Sequence, residues 1–335
     1  MAKIAFLELE GWEEDIIKWE LRDHDLILKH EKISDDIIDE ISDVEMLSVF
    51  IYSKINGDIL DRLPNLKAIM TRSTGYDHID LEECKKRGIA VFNVPDYGSN
   101  TVAEFTFLLI LSLVRKIRTI MEAKSGIDVH LELRGRDLKG KTIGIIGTGR
   151  IGSYVAKLAH AFGMRILAYD IYPRKELVER YGVKYVDLDT LLRNSDIVTL
   201  HLPYTKETHH IINRNNIKKM KKGALLINTA RGGLIETEAI IEALDKGILG
   251  GVALDVIEGE WILVEEMDVV YGRRPFSVEE LRKGIEVHIL MNYPNVIITP
   301  HIAYNTWEAL NRILETTINT IKGFLSGKEL KNRII

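Results

Sequence analysis

The stretch from Lys141 to Asp170 constrains the fold more than any other part of this sequence. An apolar run of strand length, Thr142 to Ile146, leads directly into Gly147-Thr148-Gly149-Arg150-Ile151-Gly152, and a helical pattern follows. A second apolar run then ends at Asp170. Glycine triplets also mark ordinary turns, but a strand, a glycine motif, a helix, a strand and an acid at this spacing are typical of dinucleotide-binding folds. We therefore interpret the glycines as the turn that holds a pyrophosphate at the amino end of a helix.

Runs of strand length alternate with helical patterns on both sides of this stretch. Such alternation predicts an α/β protein with parallel sheets whose faces are covered by helices. We predict two Rossmann-like or flavodoxin-like domains, with a nucleotide domain at 101–299 inserted into a discontinuous substrate domain at 1–100 and 300–335. A capping-box pattern at 101–104 predicts the start of a helix, and 213–220 is also predicted to be helical. A ligand is expected in a cleft between the domains.

Composition and charge restrict the classes of partner. With 28% charged and 46% hydrophobic residues, the 335-residue chain is typical of soluble globular proteins. A formal net charge of −5 gives no attraction to nucleic acid or to an anionic membrane, and the apolar run from Phe105 to Val114 is too short to cross a bilayer. Glu8 and Glu10 interrupt the apolar start, and Cys84 alone cannot form an internal disulfide. These features predict a cytoplasmic protein without nucleic-acid or membrane partners.

Charged side chains follow several of the predicted strands. Asp170 ends the second strand of the nucleotide domain, where a carboxylate can accept hydrogen bonds from both ribose hydroxyls and repels a 2′-phosphate. This favours NAD over NADP as the cofactor, although the nearby Arg174 can weaken the preference. Arg231 follows another strand and precedes a glycine, a position from which a guanidinium can bind a carboxylate with two parallel hydrogen bonds.

A histidine and several acids follow two further strands. His301 comes directly after one of them, and Asp255, Glu258 and Glu260 end or follow the other. A lone histidine is usually structural, and three such acids more often form a solvated loop. Together with Arg231 at one edge of a parallel sheet, however, they suit hydride chemistry on a 2-oxo acid: the arginine binds the carboxylate, the histidine exchanges a proton with the carbonyl oxygen, and an acid orients the histidine. No histidine and cysteine spacing suits a metal, so we predict none.

The chain resembles the D-isomer-specific 2-hydroxyacid dehydrogenases over essentially its whole length. The motifs that carry this resemblance are GTGRIG (147–152), NTARGG (228–233), ALDVIEGE (253–260), TPHIAYNT (299–306), RSTGYDHID (72–80) and VPDYGSNTVAE (94–104). The long gap between Glu260 and His301, and Tyr304 after the histidine, are most similar to the D-lactate dehydrogenase branch. Ile257 departs from the aromatic residue common in that branch, and residues 261–292 follow no close pattern. Both departures bear on the substrate rather than on the reaction.

The resemblance implies a role for each matching position. The catalytic residues are expected to be Arg231 as the substrate-binding arginine, Glu260 as the carboxylate partner and His301 as the acid/base. The NAD site is expected to be lined by Gly147, Gly149, Arg150, Ile151, Gly152, Asp170, Leu202, Pro203, Thr208, Asn228, Thr229, Ala230 and Asp255. The substrate is expected to contact Tyr52, Ser73, Thr74, Gly75, Tyr97 and Tyr304. The family also implies a homodimer.

The sequence therefore predicts an NAD-dependent oxidoreductase that interconverts a small 2-oxo acid and its D-2-hydroxy acid, with pyruvate and D-lactate as the expected pair. One alternative is a reductase for glyoxylate, hydroxypyruvate or a bulkier 2-oxo acid. Another is an NAD-sensing binding protein that kept the fold and lost turnover. The intact Arg231, Glu260 and His301 argue against the second alternative.

Overall fold

The computed structural model describes residues 1–122, 131, 133–260, 262 and 276–335. The chain forms two compact units, one of Met1–Gly98 with Thr306–Ile335 and one of Ser99–Asn305. Each unit is built on a parallel sheet with helices, so the predicted α/β fold class is confirmed. Among the described residues, no helix is long and apolar enough to cross a membrane.

The first unit has a five-stranded sheet with the order β2-β1-β3-β4-β5, in which every neighbouring pair is parallel. Its strands are β1 (Lys3–Phe6), β2 (Asp25–Leu28), β3 (Met46–Val49), β4 (Ala68–Thr71) and β5 (Ala90–Phe92). Its helices are α1 (Gly11–Glu20), α2 (Asp35–Glu40), α3 (Gly57–Asp61), α4 (Leu81–Lys86) and, near the end of the chain, α12 (Trp307–Leu325). Successive side chains of a strand point to opposite faces, so Phe6 packs in the same core as Ile318 of α12, whereas Leu7 packs in the same core as Ile38 of α2.

The second unit has a seven-stranded sheet with the order β12-β11-β10-β9-β6-β7-β8, and its pairs are also parallel. Its strands are β6 (Thr142–Ile146), β7 (Arg165–Tyr169), β8 (Lys184–Tyr185), β9 (Ile197–Leu200), β10 (Ala224–Asn228), β11 (Leu249–Leu254) and β12 (Val296–Ile298). Its α-helices are α5 (Ser99–Val114), α6 (Ile117–Glu122), α7 (Arg150–Ala161), α8 (Lys175–Tyr181), α9 (Leu188–Asn194), α10 (Thr237–Asp245) and α11 (Val278–Met291).

The strand order of the second unit reverses at β6. The chain runs outward from β6 through β7 and β8, returns to β9 on the other side, and continues to β10, β11 and β12. In sheets of this kind, ligands bind beyond the carboxyl ends of the strands at the point of reversal. Arg231, Glu260 and His301 follow β10, β11 and β12, so the sheet brings all three to the same edge.

Three predicted boundaries differ from the structure. Helix α5 begins at Ser99, so Thr101 lies inside its first turn and does not cap it. Within the segment predicted to be helical at 213–220, only the 3-10 helix Ile217–Lys219 forms. The chain passes into the first unit at Thr306 rather than at 300, and the backbone N–H groups of Ile302 and Ala303 donate to the carboxylate of Asp255 in the second unit. These bonds keep residues 299–303, called the histidine loop below, in the second unit, called the nucleotide unit below.

A buried arginine stabilises the carboxyl edge of the first unit. Arg72 follows β4 and is only 2% exposed, and its Nη2 donates to the carbonyl oxygens of Leu7 and Glu8, each at 2.7 Å. Its Nη1 donates to Ser48 Oγ at 3.1 Å, and its Nε lies 3.8 Å from Glu13 Oε1. Burial lowers the pKa of Arg72 and raises the pKa of Glu13. The two groups therefore depend on each other and on these acceptors to stay charged.

Arg72→Met is expected to lower the free energy of unfolding by about 3 kcal/mol, because it leaves Glu13 as an unpaired buried carboxylate. Denaturant titration followed by tryptophan fluorescence measures the loss. Arg62→Met is the control, because Arg62 forms ion pairs with the exposed Asp35 and Asp39. A solvent-screened pair contributes little, so the control is expected to lose much less stability. Equal losses in the two variants would contradict the role given to Arg72.

Candidate active site

The loop after β6 has the geometry that the glycine motif predicts. Gly147 has a φ of +94°, and a Cβ at this position would lie 2.6 Å from the carbonyl oxygen of His201. A Cβ on Gly152 would lie 2.0 Å from the carbonyl oxygen of Gly147, so α7 packs directly against the loop. A Cβ on Gly149 would meet no atom within 4 Å, and no side chain caps the first turn of α7, where Arg150 and Ile151 lie. Open space beside uncapped N–H groups fits a pyrophosphate.

Asp170 follows β7 beside this loop, and its carboxylate is already partly engaged. Its Oδ2 accepts hydrogen bonds from Thr148 N at 2.6 Å and from Thr148 Oγ1 at 3.0 Å. Its Oδ1 accepts one from Tyr172 N at 2.8 Å. An ionised carboxylate offers about four acceptor positions. The described residues leave one position, whereas the sequence led us to expect an acceptor for both ribose hydroxyls.

The loop after β9 is closed by short contacts between its own residues. Thr208 Oγ1 donates to the carbonyl oxygen of Pro203 and accepts from Thr205 N, both at 2.8 Å. His201 at the start of the loop is buried, and burial lowers its pKa to about 3, so the ring is neutral at pH 7. Its Nε2 lies 2.9 Å from Thr199 Oγ1, while its Nδ1 has no hydrogen-bond partner in the described part of the chain. Among the described residues, no cluster of acids, histidines and cysteines could hold a metal ion.

The turn after β10 presents Arg231. Asn228 braces this turn: its Nδ2 donates to the carbonyl oxygen of Arg231 at 2.8 Å, and its Oδ1 accepts from Ala230 N at 3.0 Å. Thr229 Oγ1 lies 3.0 Å from the hydroxyl of Thr106 on α5, and Arg231 Nη1 donates to the carbonyl oxygen of Ala230 at 2.7 Å. The observed bonds of the Asn228 amide therefore serve the arginine turn, although the sequence assigned Asn228 to the cofactor.

His301 and Glu260 meet as the sequence predicts. His301 Nδ1 lies 3.3 Å from Glu260 Oε1, and the two side chains are 30% and 43% exposed. An ionised carboxylate only accepts hydrogen bonds, so Nδ1 of His301 is the donor in this contact. The second ring nitrogen, Nε2, is then the one that can face a ligand. Glu260 Oε2 also lies 3.4 Å from Ile257 N. Both contacts are long, so the carboxylate is lightly held.

Asp255 holds the loop that carries His301. It is 1% exposed, and its carboxylate accepts hydrogen bonds from Thr299 Oγ1 at 2.6 Å and from Ile302 N and Ala303 N at 2.9 Å. Its carbonyl oxygen accepts from His301 N at 2.9 Å. All these partners lie in the histidine loop, whereas the sequence assigned Asp255 to the NAD site. Its observed contacts make it a positioning residue for His301.

Close backbone packing joins the arginine turn to the glutamate loop. A Cβ on Gly232, the residue after Arg231, would lie 2.4 Å from the carbonyl carbon of Ile257 and 2.7 Å from Glu258 N. Only glycine permits this approach. The turn after β10 and the loop after β11 are therefore in direct contact, and the spacing between Arg231 and Glu260 is fixed through their backbones.

Glu258 and His210 are structural partners that the sequence did not reveal. Glu258 Oε1 lies 2.8 Å from His210 Nε2, and its Oε2 accepts from Thr237 N at 3.1 Å, Thr237 Oγ1 at 2.9 Å and Lys283 Nζ at 3.3 Å. Burial raises the pKa of Glu258, but hydrogen bonds from His210 and Thr237 outweigh it and leave the pKa below its usual range. The three acids in Asp255–Glu260 were the only signal, and nothing in them separates Glu258 from Glu260.

The expected substrate residues belong to both units. Tyr52, Ser73, Thr74, Gly75 and Tyr97 lie in the first unit, and Tyr304 lies in the second, three residues after His301. Tyr52 is 56% exposed, and its N–H donates to Glu8 Oε2 at 3.0 Å. Ser73 is buried, and its Oγ donates to the carbonyl oxygen of Gly75 at 2.5 Å. The 73–75 turn is therefore braced internally.

Comparison with known proteins gives a consistent assignment. The model of the D-isomer specific 2-hydroxyacid dehydrogenase family, NAD binding domain, matches residues 107–303. A glyoxylate reductase of Thermofilum pendens is 40% identical over 303 residues, which cover 88% of this chain and 82% of that protein. A D-lactate dehydrogenase of Curvularia clavata is 40% identical over 297 residues, which cover 87% and 81%. The crystal structure of D-lactate dehydrogenase from Aquifex aeolicus with NAD and lactic acid has a TM-score of 0.87 and 41% identity, covering 97% and 96%.

The chain belongs to the D-isomer-specific 2-hydroxyacid dehydrogenases. Its function is that of an NAD-dependent oxidoreductase on 2-hydroxy and 2-oxo acids, so the predicted enzyme class and the predicted NAD cofactor are confirmed. The relatives are named for different substrates, so the comparisons define the reaction but not the particular 2-oxo acid.

Glu258→Gln is expected to lower the free energy of unfolding at pH 7 by about 2 kcal/mol, because it weakens several hydrogen bonds to a buried charge. Folding lowers the pKa of Glu258, so its contribution is fully present above the unfolded value of 4.5 and is lost as the pH falls through the folded value. The difference in the free energy of unfolding between the variant and the wild type therefore becomes smaller at acidic pH. Denaturant titrations at pH 7 and pH 4 measure it.

Glu286→Gln is the matched control for this experiment. Glu286 lies 3.2 Å from the same Lys283 Nζ, but burial raises its pKa, so its charge does not stabilise the fold. The control is expected to be at least as stable as the wild type at pH 7. If Glu286→Gln loses as much stability as Glu258→Gln, the loss comes from the shared ion pairs of Lys283 and not from the hydrogen bonds of Glu258 to His210 and Thr237.

Proposed function

We propose that this enzyme interconverts pyruvate and D-lactate, with Arg231, Glu260 and His301 as its catalytic residues. The observation that carries the proposal is the contact between His301 Nδ1 and Glu260 Oε1 at 3.3 Å, at the same sheet edge as Arg231. The buried carboxylate of Asp255 holds the loop of His301 by accepting hydrogen bonds from Ile302 N and Ala303 N. We also propose that the loops after β6, β7 and β9 line the NAD site.

Each member of the trio has a distinct task in the reduction. Arg231 binds the substrate carboxylate with two parallel hydrogen bonds and draws electron density from the neighbouring carbonyl. Bound NADH supplies the hydride. Protonated His301 donates the Nε2 proton to the carbonyl oxygen, and Glu260 stabilises the charged ring through Nδ1. In the reverse direction, neutral Nε2 accepts the proton of the D-2-hydroxy acid.

Pyruvate is supported as the substrate by two observations. The structure from Aquifex aeolicus, 41% identical to this chain, was determined with NAD and lactic acid. Tyr304 lies in the same loop as His301 and is half-buried, as is expected of a side chain that bounds a small pocket. We propose that Tyr304, Tyr52 and Tyr97 limit the substrate side chain, and that the backbone N–H groups of the 73–75 turn contribute to carboxylate binding.

Glyoxylate is the second candidate substrate. The glyoxylate reductase of Thermofilum pendens is 40% identical to this chain over 303 residues. Glyoxylate lacks only the methyl group of pyruvate, and a pocket gains about 1–3 kcal/mol from one such group. The two proposals therefore differ in the shape of the pocket and not in the catalytic trio.

Steady-state assays on a panel of 2-oxo acids distinguish these candidates. With NADH, kcat/KM for pyruvate is expected to exceed that for glyoxylate by about tenfold, because a fitted methyl contributes that much. Hydroxypyruvate and bulkier 2-oxo acids in the same panel test the remaining alternatives. A tenfold preference for glyoxylate would replace pyruvate as the proposed substrate, whereas inactivity on every 2-oxo acid would defeat the catalytic assignment as well.

His301→Gln is expected to lower kcat for 2-oxo acid reduction by about 10²–10⁴-fold, because it removes the proton donor. The dissociation constant of NADH, measured by fluorescence without substrate, is expected to stay within about twofold of wild type, because the variant keeps the glycine loop. His288→Gln is a control on the exposed side of α11, and it is expected to retain full activity. Turnover by His301→Gln equal to that of the wild type would remove His301 from the mechanism.

We further propose a homodimer in the cytoplasm. Leu108 of α5 is 54% exposed and Met121 of α6 is 81% exposed, so the nucleotide unit presents apolar side chains that a second copy can cover. The single cysteine of the sequence, the buried Cys84, suits a reducing compartment.

A further inference from the structure

A chain of three hydrogen bonds connects the end of β8 to Asp170. Arg174 N donates to the hydroxyl of Tyr185 at 3.0 Å, and this hydroxyl donates to Thr148 Oγ1, also at 3.0 Å. Thr148 Oγ1 in turn donates to Asp170 Oδ2 at 3.0 Å. Thr148 is fully buried inside the glycine motif, and Tyr185 is half-buried at the edge of the sheet. The relay thus joins three segments: the glycine loop, the 170–174 turn and β8.

The direction of every bond in this relay is fixed by chemistry. The carboxylate of Asp170 only accepts, so the single hydroxyl hydrogen of Thr148 points at it. Thr148 Oγ1 must then act as the acceptor towards Tyr185, and the tyrosine hydroxyl must donate. The backbone N–H of Arg174 can only donate, and it takes a remaining lone pair of the tyrosine oxygen. Tyr185 therefore both holds Thr148 in place and tethers the turn that carries Arg174.

We propose that Tyr185 is a specificity-determining positioning residue, which sets the preference of this enzyme for NAD over NADP through Thr148 and Arg174. With Thr148 held between Tyr185 and Asp170, the carboxylate keeps one orientation, and its remaining acceptor position is directed at a ribose hydroxyl. Arg174 ends the same turn, and its backbone is tethered to Tyr185. The inference depends on the NAD site and not on the identity of the substrate.

Loss of the tyrosine hydroxyl is expected to change the affinity for NADH and the affinity for NADPH. In Tyr185→Phe, Thr148 Oγ1 loses the donor that holds it in place, so the Asp170 carboxylate to which it donates is less firmly oriented, and the N–H of Arg174 loses its acceptor. NADH is then expected to bind about three- to tenfold more weakly, since a lost hydrogen bond changes an equilibrium constant by about this factor. NADPH is expected to bind equally well or better, because the released turn allows the guanidinium of Arg174 to approach a 2′-phosphate.

The experiment measures dissociation constants of NADH and NADPH by fluorescence titration of the purified full chain, without any 2-oxo acid. Tyr185→Phe is expected to reduce the ratio of the NADPH constant to the NADH constant by about tenfold. Thr148→Val cuts the relay at its next link and is expected to lower the ratio similarly, whereas Thr148→Ser keeps the hydroxyl and is expected to preserve it. The double variant Tyr185→Phe with Thr148→Val is expected to be no worse than either single variant, because both break one network.

Tyr181→Phe is the matched control. Tyr181 lies on α8 in the same unit, and its ring contacts His160 and Arg180 away from the relay. In Tyr181→Phe, the ratio of the NADPH dissociation constant to the NADH dissociation constant is expected to equal that of the wild type. Thermal unfolding checks that all variants are folded. A ratio within twofold of wild type in Tyr185→Phe would overturn the proposal. A control that shifts as far as Tyr185→Phe would overturn it too, because the effect would then belong to any tyrosine of this unit.

Discussion

Asp255 is 1% exposed, and its carboxylate accepts three hydrogen bonds from the loop that follows β12. These bonds hold His301 at a φ of +55°, a conformation that costs a residue other than glycine on the order of 1 kcal/mol. Such strain persists only where surrounding contacts determine the backbone. A strained histidine suits the proposed proton transfer, which requires one fixed ring position, and the buried Asp255 carboxylate fixes the backbone of its loop.

The parallel sheet explains why so few residues are needed to assemble the site. Strands β10, β11 and β12 are adjacent, and all run in the same direction, so their carboxyl ends deliver Arg231, Glu260 and His301 to one edge. The glycine loop follows β6, two positions along the same sheet from β10. A cofactor bound at the reversal of strand order therefore lies on the edge that carries His301, the proposed proton donor. Local loop contacts then only refine distances that the sheet has already set.

The sequence predicted the features that depend on local patterns and missed those that depend on distant partners. The glycine motif, the strands and the strand-end residues are local signals, and the contact of His301 with Glu260 followed from the resemblance. The roles of Glu258 and Tyr185 were not predicted, because their partners His210 and Thr148 lie 48 and 37 residues away. Trp261 and 263–275, which no pattern explained, lie outside the described residues.

The acids of the nucleotide unit differ in how fully their oxygens are engaged. Glu258 has partners on both oxygens, and Asp255 is 1% exposed with its three donors in the histidine loop, so both are fixed structural groups. Asp170 also accepts from three donors, but it is only half-buried, so its remaining acceptor position suits a ligand hydroxyl. Among the described residues, Glu260 has only the long contacts to His301 and to Ile257 N, and its side chain is 43% exposed. A carboxylate with spare acceptors can respond when the histidine gains a proton, so the degree of engagement, rather than residue type, separates Glu260, the proposed partner of His301, from the neighbouring acids.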